Sequence, residues 1–255
     1  MIFFATGLLV LAVIFYRLFY GNNCKLRVLM YHKIDESRQD MLTVTERQLG
    51  QHLSLLLQRG YHFISIAQLS QLSQLPSKCI LLTFDDAYVN NLECAYPVLK
   101  KHGACATIFV PTAFVGTASN WDIEPEALMS IEQLQQLDST VFELGLHSHK
   151  HRSYGTLREK ELVEDLQENI QFFRDHQLPF VPAFAFPFGA RPKDKTHKQL
   201  MQKCMADLGI LMAFRIGNRL NIWPLRNRYE VQRIDVRGTD SLEKFARKVT
   251  WGRLF

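Results

Sequence analysis

From Lys25 onward the sequence alternates short apolar runs with longer segments whose apolar residues recur at a helical spacing. That alternation restricts the chain to a mostly parallel sheet or a barrel, because each strand needs a crossover before the next parallel one. The strand candidates are Leu26–Tyr31, Cys79–Phe84, Ala104–Val110, Phe142–Leu146, Ala183–Phe186, Leu211–Arg215 and Val231–Val236. Helix starts are legible between them. Thr45-x-x-Gln48 is a capping box, followed by an apolar stripe of Leu49, Leu53, Leu56 and Leu57 and closed by Gly60. Thr156-x-x-Glu159 precedes Leu162, Leu166, Ile170 and Phe173, and Asp240-x-x-Glu243 precedes Leu242, Phe245 and Val249. Seven or so such units predict an α/β fold, an irregular (β/α) barrel whose chemistry sits where strands end and loops begin.

The bulk numbers fit one ordered domain. The chain has 255 residues, 47% apolar and 22% charged, which excludes extensive disorder. A net charge of +5, with no basic run interleaved with aromatics, gives no support for nucleic acid as a partner. Five cysteines without a C-x-x-C pair, several inside apolar runs, read as buried small hydrophobes rather than a disulfide framework. The first twenty residues differ from the rest. Met1 to Tyr16 carries no charged side chain, and the apolar stretch is just long enough to cross a bilayer. A cleaved signal peptide would want a basic residue before the apolar run and a small-x-small site after it, and neither is present. The expectation is a single-pass transmembrane helix at residues 1–21 joined to a domain at 22–255. Arg17, Lys25, Arg27 and Lys33 follow the helix, so the positive-inside rule would leave the domain cytoplasmic.

Two polar clusters interrupt the apolar strands. The run Cys79-Ile80-Leu81-Leu82-Thr83-Phe84 leads directly into Asp85-Asp86. Two carboxylates leaving a buried strand are costly unless paired, although an aspartate there also suits a turn or a helix N-cap. The second cluster, Gly145-Leu146-His147-Ser148-His149-Lys150-His151, follows another buried strand. His147 and His151 are four apart, so one turn can aim both imidazoles at one ion, while His149 points elsewhere. Two histidines and one aspartate make three protein ligands with positions left for water and substrate, the open arrangement a catalytic metal requires. The spare carboxylate is then free to accept a proton.

Thr83-Phe84-Asp85-Asp86 together with His147-Ser148-x-x-His151 resembles the polysaccharide deacetylases, the NodB-like carbohydrate esterases. The resemblance implies that Asp85 is the general base and that Asp86, His147 and His151 hold a divalent metal, usually zinc. Phe184-Ala185-Phe186-Pro187-Phe188-Gly189 is similar to the third motif of that family, which implies an oxyanion donor from the backbone near Phe188 and a substrate-lining place for Pro187. The arginine that often steadies the base in this motif is missing here, where phenylalanine stands in its place. The usual C-terminal Leu-x-His motif is also missing, since no histidine follows His197. Met30-Tyr31-His32-Lys33-Ile34 resembles instead the N-terminal Y-H-x-I motif of a subgroup that deacetylates poly-N-acetylglucosamine, which implies that His32 supplies the acid. Asp235, at the end of the last strand, either orients His32 across a closed barrel or pairs with an arginine on the rim.

The function these residues imply is metal-dependent N-deacetylation of an amino-sugar polysaccharide or a lipid-linked glycan. The rival from another class is a metal-holding carbohydrate-binding protein without turnover, which would need neither Asp85 nor His32.

Overall fold

The computed structural model describes residues 24–38 and 40–252. The expected membrane anchor at 1–21 lies outside them. Among the described residues no helix is long and apolar enough to cross a membrane.

Seven parallel strands close into a barrel: β1 (Lys25–Tyr31), β2 (Cys79–Asp85), β3 (Ala106–Val110), β4 (Phe142–Leu146), β5 (Ala183–Ala185), β6 (Met212–Ile216) and β7 (Val231–Asp235). Each strand pairs with its neighbour in sequence, and β1 closes the ring by pairing with both β2 and β7. The β1–β2 ladder is long, running from Arg27 opposite Ile80 to Tyr31 opposite Phe84. The β4–β5 seam is short, with Leu146 opposite Phe184 as its register pair, so the barrel is irregular there. All seven expected strands are present, with ends shifted by two residues at most. Four two-residue strands were not legible, including Asn221–Ile222, which lies antiparallel beside the start of β1.

The helices pack outside: α1 (Glu46–Gln58), α2 (Ile66–Gln71), α3 (Tyr96–Lys101), α4 (Ile131–Gln135), α5 (Glu159–Asp175), α6 (Lys195–Asp207) and α7 (Leu242–Trp251). The Thr45–Gln48 capping box opens α1 as expected, with both reciprocal bonds made. Its buried stripe is Leu49, His52, Leu53 and Leu56, and Leu57 is exposed. Two helix starts lie further along than the sequence suggested. Glu161 rather than Glu159 reaches back to the entry of α5, accepting the Arg158 N–H, and Ser241 rather than Asp240 caps α7. The α5 N-cap is Arg158, two residues past Thr156, whose hydroxyl donates to the Ser153 carbonyl oxygen instead; Asp240 is buried against Lys244 and Lys248. All five cysteines are free, as the sequence suggested, with Cys79 buried and the other four half-buried.

Leu29, Tyr31, Leu82, Phe84, Ile108, Leu146 and Phe184 face the helices, and Phe109, Leu81, Ala183, Ala185 and Phe214 fill the barrel interior. Gly145 is required by that filling. A Cβ there would lie 2.7 Å from the Phe109 ring, which only displacement of the ring would relieve.

Candidate active site

The strands all end on one rim, and that geometry gathers the polar residues. Asp85 is the last residue of β2 and Asp86 follows it, while His147 and His32 follow β4 and β1. Asp235 ends β7, and Pro187–Gly189 turns away after β5. Together with Trp121 and Asp122 from the long loop before α4, these residues, apart from Pro187, surround a cavity of about 330 Å³. A larger cavity, about 780 Å³, lies at the opposite end of the barrel, but it lacks any cluster able to hold a metal.

Asp86, His147 and His151 place one ligand atom each within 4.8 Å of one another, and all three are buried. His151 Nε2 lies 3.1 Å from Asp86 Oδ1, and His147 Nε2 lies 3.3 Å from the same oxygen. His147 Nδ1 is 2.8 Å from the Ala185 carbonyl oxygen, which can only accept. The ring proton therefore sits on Nδ1, and the Nε2 lone pair of the neutral ring faces the carboxylate. Acceptors facing acceptors in a dry site need a cation between them, either protons or a metal. The shifts point the same way. Burial opposes charge on His147, but Asp85 and Asp86 beside it prevail and raise its pKa above the usual imidazole value. Burial alone would raise Asp86, yet His151 and His147 hold it well below the usual carboxylate range. Asp86 Oδ1 is a buried atom without a hydrogen-bond partner among the described residues. An Asp–His–His set of this kind fits a divalent ion of the zinc type and leaves room for other ligands.

Asp85 has a different environment. The Arg233 guanidinium, fully buried on β7, donates from Nη1 to Oδ1 at 2.5 Å and from Nη2 to Oδ2 at 2.7 Å. Burial would raise the Asp85 pKa, and the charge of Arg233, followed by those of His147 and His32, outweighs it and keeps the carboxyl ionised. The arginine missing from the Phe184–Gly189 motif is thus replaced from another strand. Val231, Arg233 and Asp235 share one face of β7 by the two-residue period, so a charge at the middle position must enter the barrel. That alternation is the signal the sequence carries for Arg233. Replacing Arg233 with methionine is expected to leave Asp85 buried and unpaired, costing about 3–5 kcal/mol of stability. The same change should raise the Asp85 pKa, so its ionised carboxylate is lost at a higher pH. The acid limb of the pH–rate profile must then move toward neutrality, and an unmoved limb would mean that Arg233 does not set it.

The backbone around these side chains is strained. Of eight non-glycine residues with positive φ among the described residues, five are here: Asp86, Ala87, Ser148, His151 and Phe188. Asp165, buried on α5, holds the histidine loop by accepting the N–H groups of His149 and Lys150 and the hydroxyl of Tyr154. The Trp121 ring packs against the His151 ring with centroids 3.8 Å apart and planes tilted by 34°, and the Phe188 ring lies 4.8 Å from it. Neither Asp165 nor Trp121 was singled out in the sequence, where each reads as part of an ordinary helix or loop.

The remaining expected site residues fall as follows. His149 turns away as anticipated, toward Thr112. His32 Nε2 is 3.9 Å from Asp85 Oδ2, and its Nδ1 is buried without a partner among the described residues. Asp235 takes the second of its two expected roles, bonding Arg237 Nε at 2.6 Å rather than His32. Pro187 is buried and does not line the cavity as expected, whereas its neighbours Phe188 and Gly189 do. Gly189, at φ +64°, allows this turn to pass Ile216, which a Cβ would meet at 2.9 Å.

Comparison with known proteins agrees with this arrangement. The YxkH protein of Bacillus subtilis is 27% identical over 169 residues, covering 65% of this chain and 57% of that one. A poly-beta-1,6-N-acetyl-D-glucosamine N-deacetylase of Staphylococcus aureus is 22% identical over 165 residues, covering 60% and 56%. The chain thus spans little more than half the length of these curated relatives. Two solved structures share the fold over 89% of this chain: the Streptococcus pyogenes deacetylase PplD in complex with acetate (TM-score 0.74, 20% identity, 99% of that chain) and IcaB from Ammonifex degensii (TM-score 0.74, 23% identity, 97% of that chain). The profile described as polysaccharide deacetylase matches residues 73–209, a stretch that holds Asp85, Asp86, His147 and His151, and the chain belongs to that family.

Proposed function

We propose that the chain removes the N-acetyl group from an amino sugar within a polysaccharide or a lipid-linked glycan, giving acetate and a free amine. The observation that carries this reading is the pair of adjacent aspartates put to different uses: Asp86 faces His147 and His151, whereas Asp85 is clamped by Arg233 and kept ionised. A binding protein needs the first arrangement but has no use for the second.

Asp86, His147 and His151 would hold the divalent ion, zinc by its donor set, which supplies Lewis-acid charge to the amide oxygen and the attacking water. Asp85 accepts the proton that water gives up as its oxygen bonds the carbonyl carbon. Arg233 fixes the direction of that carboxylate, so no reorientation is needed as the charge moves. The turn at Pro187–Gly189 presents backbone beside the cavity, where an N–H near Phe188 would meet the developing oxyanion. His32, on the same rim, gives a proton to the nitrogen as the C–N bond breaks. The cavity has room for one acetylated sugar ring rather than a length of polymer, so flanking sugars would lie along the rim.

The deacetylase relative from Staphylococcus aureus suggests the probe. A β-1,6-linked N-acetylglucosamine oligomer incubated with the protein should release acetate, a chelator should stop the release, and added zinc should restore it. Oligomer binding without acetate release would favour the carbohydrate-binding reading instead.

A further inference from the structure

Asp122 is the one acidic side chain on the cavity wall that neither faces the metal cluster, like Asp86, nor pairs with an arginine, like Asp85 and Asp235. Its side chain is 9% exposed. One oxygen, Oδ2, is held by three donors: the Tyr88 hydroxyl at 2.7 Å, the Ser119 hydroxyl at 2.7 Å and Lys33 Nζ at 3.1 Å. Lys33 is itself buried, and it also pairs with Glu126 at 2.9 Å. The other oxygen, Oδ1, has no hydrogen-bond partner among the described residues and is not sealed from solvent. A carboxylate fixed through one oxygen presents the other in a single direction, with no rotamer freedom left to lose on binding. Trp121, the residue before it, is packed against His151, so the position of Asp122 is tied to that of the metal cluster.

We propose that Asp122 Oδ1 accepts a hydrogen bond from a ring hydroxyl of the sugar whose acyl group is cleaved, making it a specificity-determining residue for a hydroxylated N-acyl hexosamine. This rests on the amino-sugar reading above. Lys33 balances the charge of Asp122, so the site suits a neutral hydroxyl donor rather than demanding a cationic ligand. The hydroxyl bond orients the ring, while the acetamide is oriented by the metal cluster and Asp85. A small aryl acetate has no such hydroxyl and should be blind to Asp122.

The test compares the N-acetylglucosamine oligomer with an aryl acetate, using zinc-loaded wild-type protein and Asp122→Asn. A hydrogen bond to a charged acceptor typically accounts for ~10–100-fold. The variant should lose about that factor in kcat/KM on the oligomer and stay near wild type on the aryl acetate. A second measurement needs no variant. Oligomers lacking one ring hydroxyl at the reacting sugar should include one deoxy form that wild type handles as poorly, and Asp122→Asn should not discriminate against that form. Equal losses on oligomer and aryl acetate, or wild-type indifference to every deoxy form, would overturn the inference while leaving the deacetylase reading in place. Wild-type protein that cleaves the aryl acetate but no acetylated oligomer would sink the amino-sugar reading, and this inference with it.

Discussion

His147→Ala is expected to lose bound metal and turnover together, with His151→Ala behaving the same way. Each removes one of the three proposed protein ligands, and each ring is held by contacts that no other residue can take over. His147 is aimed by its bond to the Ala185 carbonyl, and His151 is packed against Trp121 and Phe188. Asp86→Asn should also weaken metal binding, because it replaces an anionic oxygen with a neutral one at the point both histidines face. Asp85→Asn should separate the two aspartates, keeping metal while losing most turnover. Metal content by elemental analysis and acetate release on the same samples would decide this. Stoichiometric zinc in either histidine variant would mean that the ligands are assigned wrongly, and equal metal loss in both aspartate variants would mean that both are ligands. A destabilised fold could mimic metal loss, so the apo forms should be compared by thermal unfolding. Removing His147 takes a partner from two buried carboxylates, so apo His147→Ala should unfold at a lower temperature than apo wild type, and metal content must be compared below both transitions.

Much of this site is legible in the sequence because a barrel strand that ends in polar residues announces the rim. Asp85-Asp86 follows six residues without a charge, and His147 follows a strand that is apolar but for Glu143. The strand ends were readable for the same reason: burial on both faces makes several of the strands near-continuous apolar runs, Cys79–Phe84 and Ala106–Val110 most clearly. What escaped was the support that arrives from far along the chain. Arg233 lies 148 positions from Asp85, and the alternation along β7 that turns it inward does not say which carboxylate it meets. Asp165 sits on the buried side of α5 among Leu162, Leu166 and Asn169, where a helical pattern predicts an apolar residue. An acidic residue on an apolar stripe is a usable signal, since it must find donors, but the sequence does not say which. Asp122 gave even less warning, because its loop lacks periodicity and its partners come from Lys33, Tyr88 and Ser119. Ligands that cluster on strand ends can be read, whereas residues that orient them are scattered by the fold.

His32→Ala should lower kcat on the oligomer by ~10²–10⁴-fold and leave zinc content unchanged, because an amine departs poorly unless it is protonated as the bond breaks. The structure supports the role by position. His32 follows β1 and borders the cavity with Asp85, and its backbone carbonyl is fixed by the Asn91 side-chain amide at 2.7 Å. No other histidine borders the cavity except the two facing Asp86. An activated aryl ester has a leaving group that needs little protonation, so the same variant should be far less impaired on it. This pattern is the reverse of that expected for Asp85→Asn, which should fail on both substrates because both need water deprotonated. The contrast with Asp235 sharpens the assignment. Had Asp235 oriented the His32 ring, removing its charge would have cost nearly as much as removing the ring. Its carboxylate bonds Arg237 instead, and its backbone N–H is taken by Asn218 Oδ1. Asp235→Asn should therefore change turnover much less than His32→Ala does. Equal losses in those two variants would show that they work as a pair in the loaded enzyme, through a movement of the Arg237 side chain. If His32→Ala instead loses ester and amide activity alike, His32 holds the substrate or the rim, and the proton must come from water or from a hydroxyl of the sugar itself.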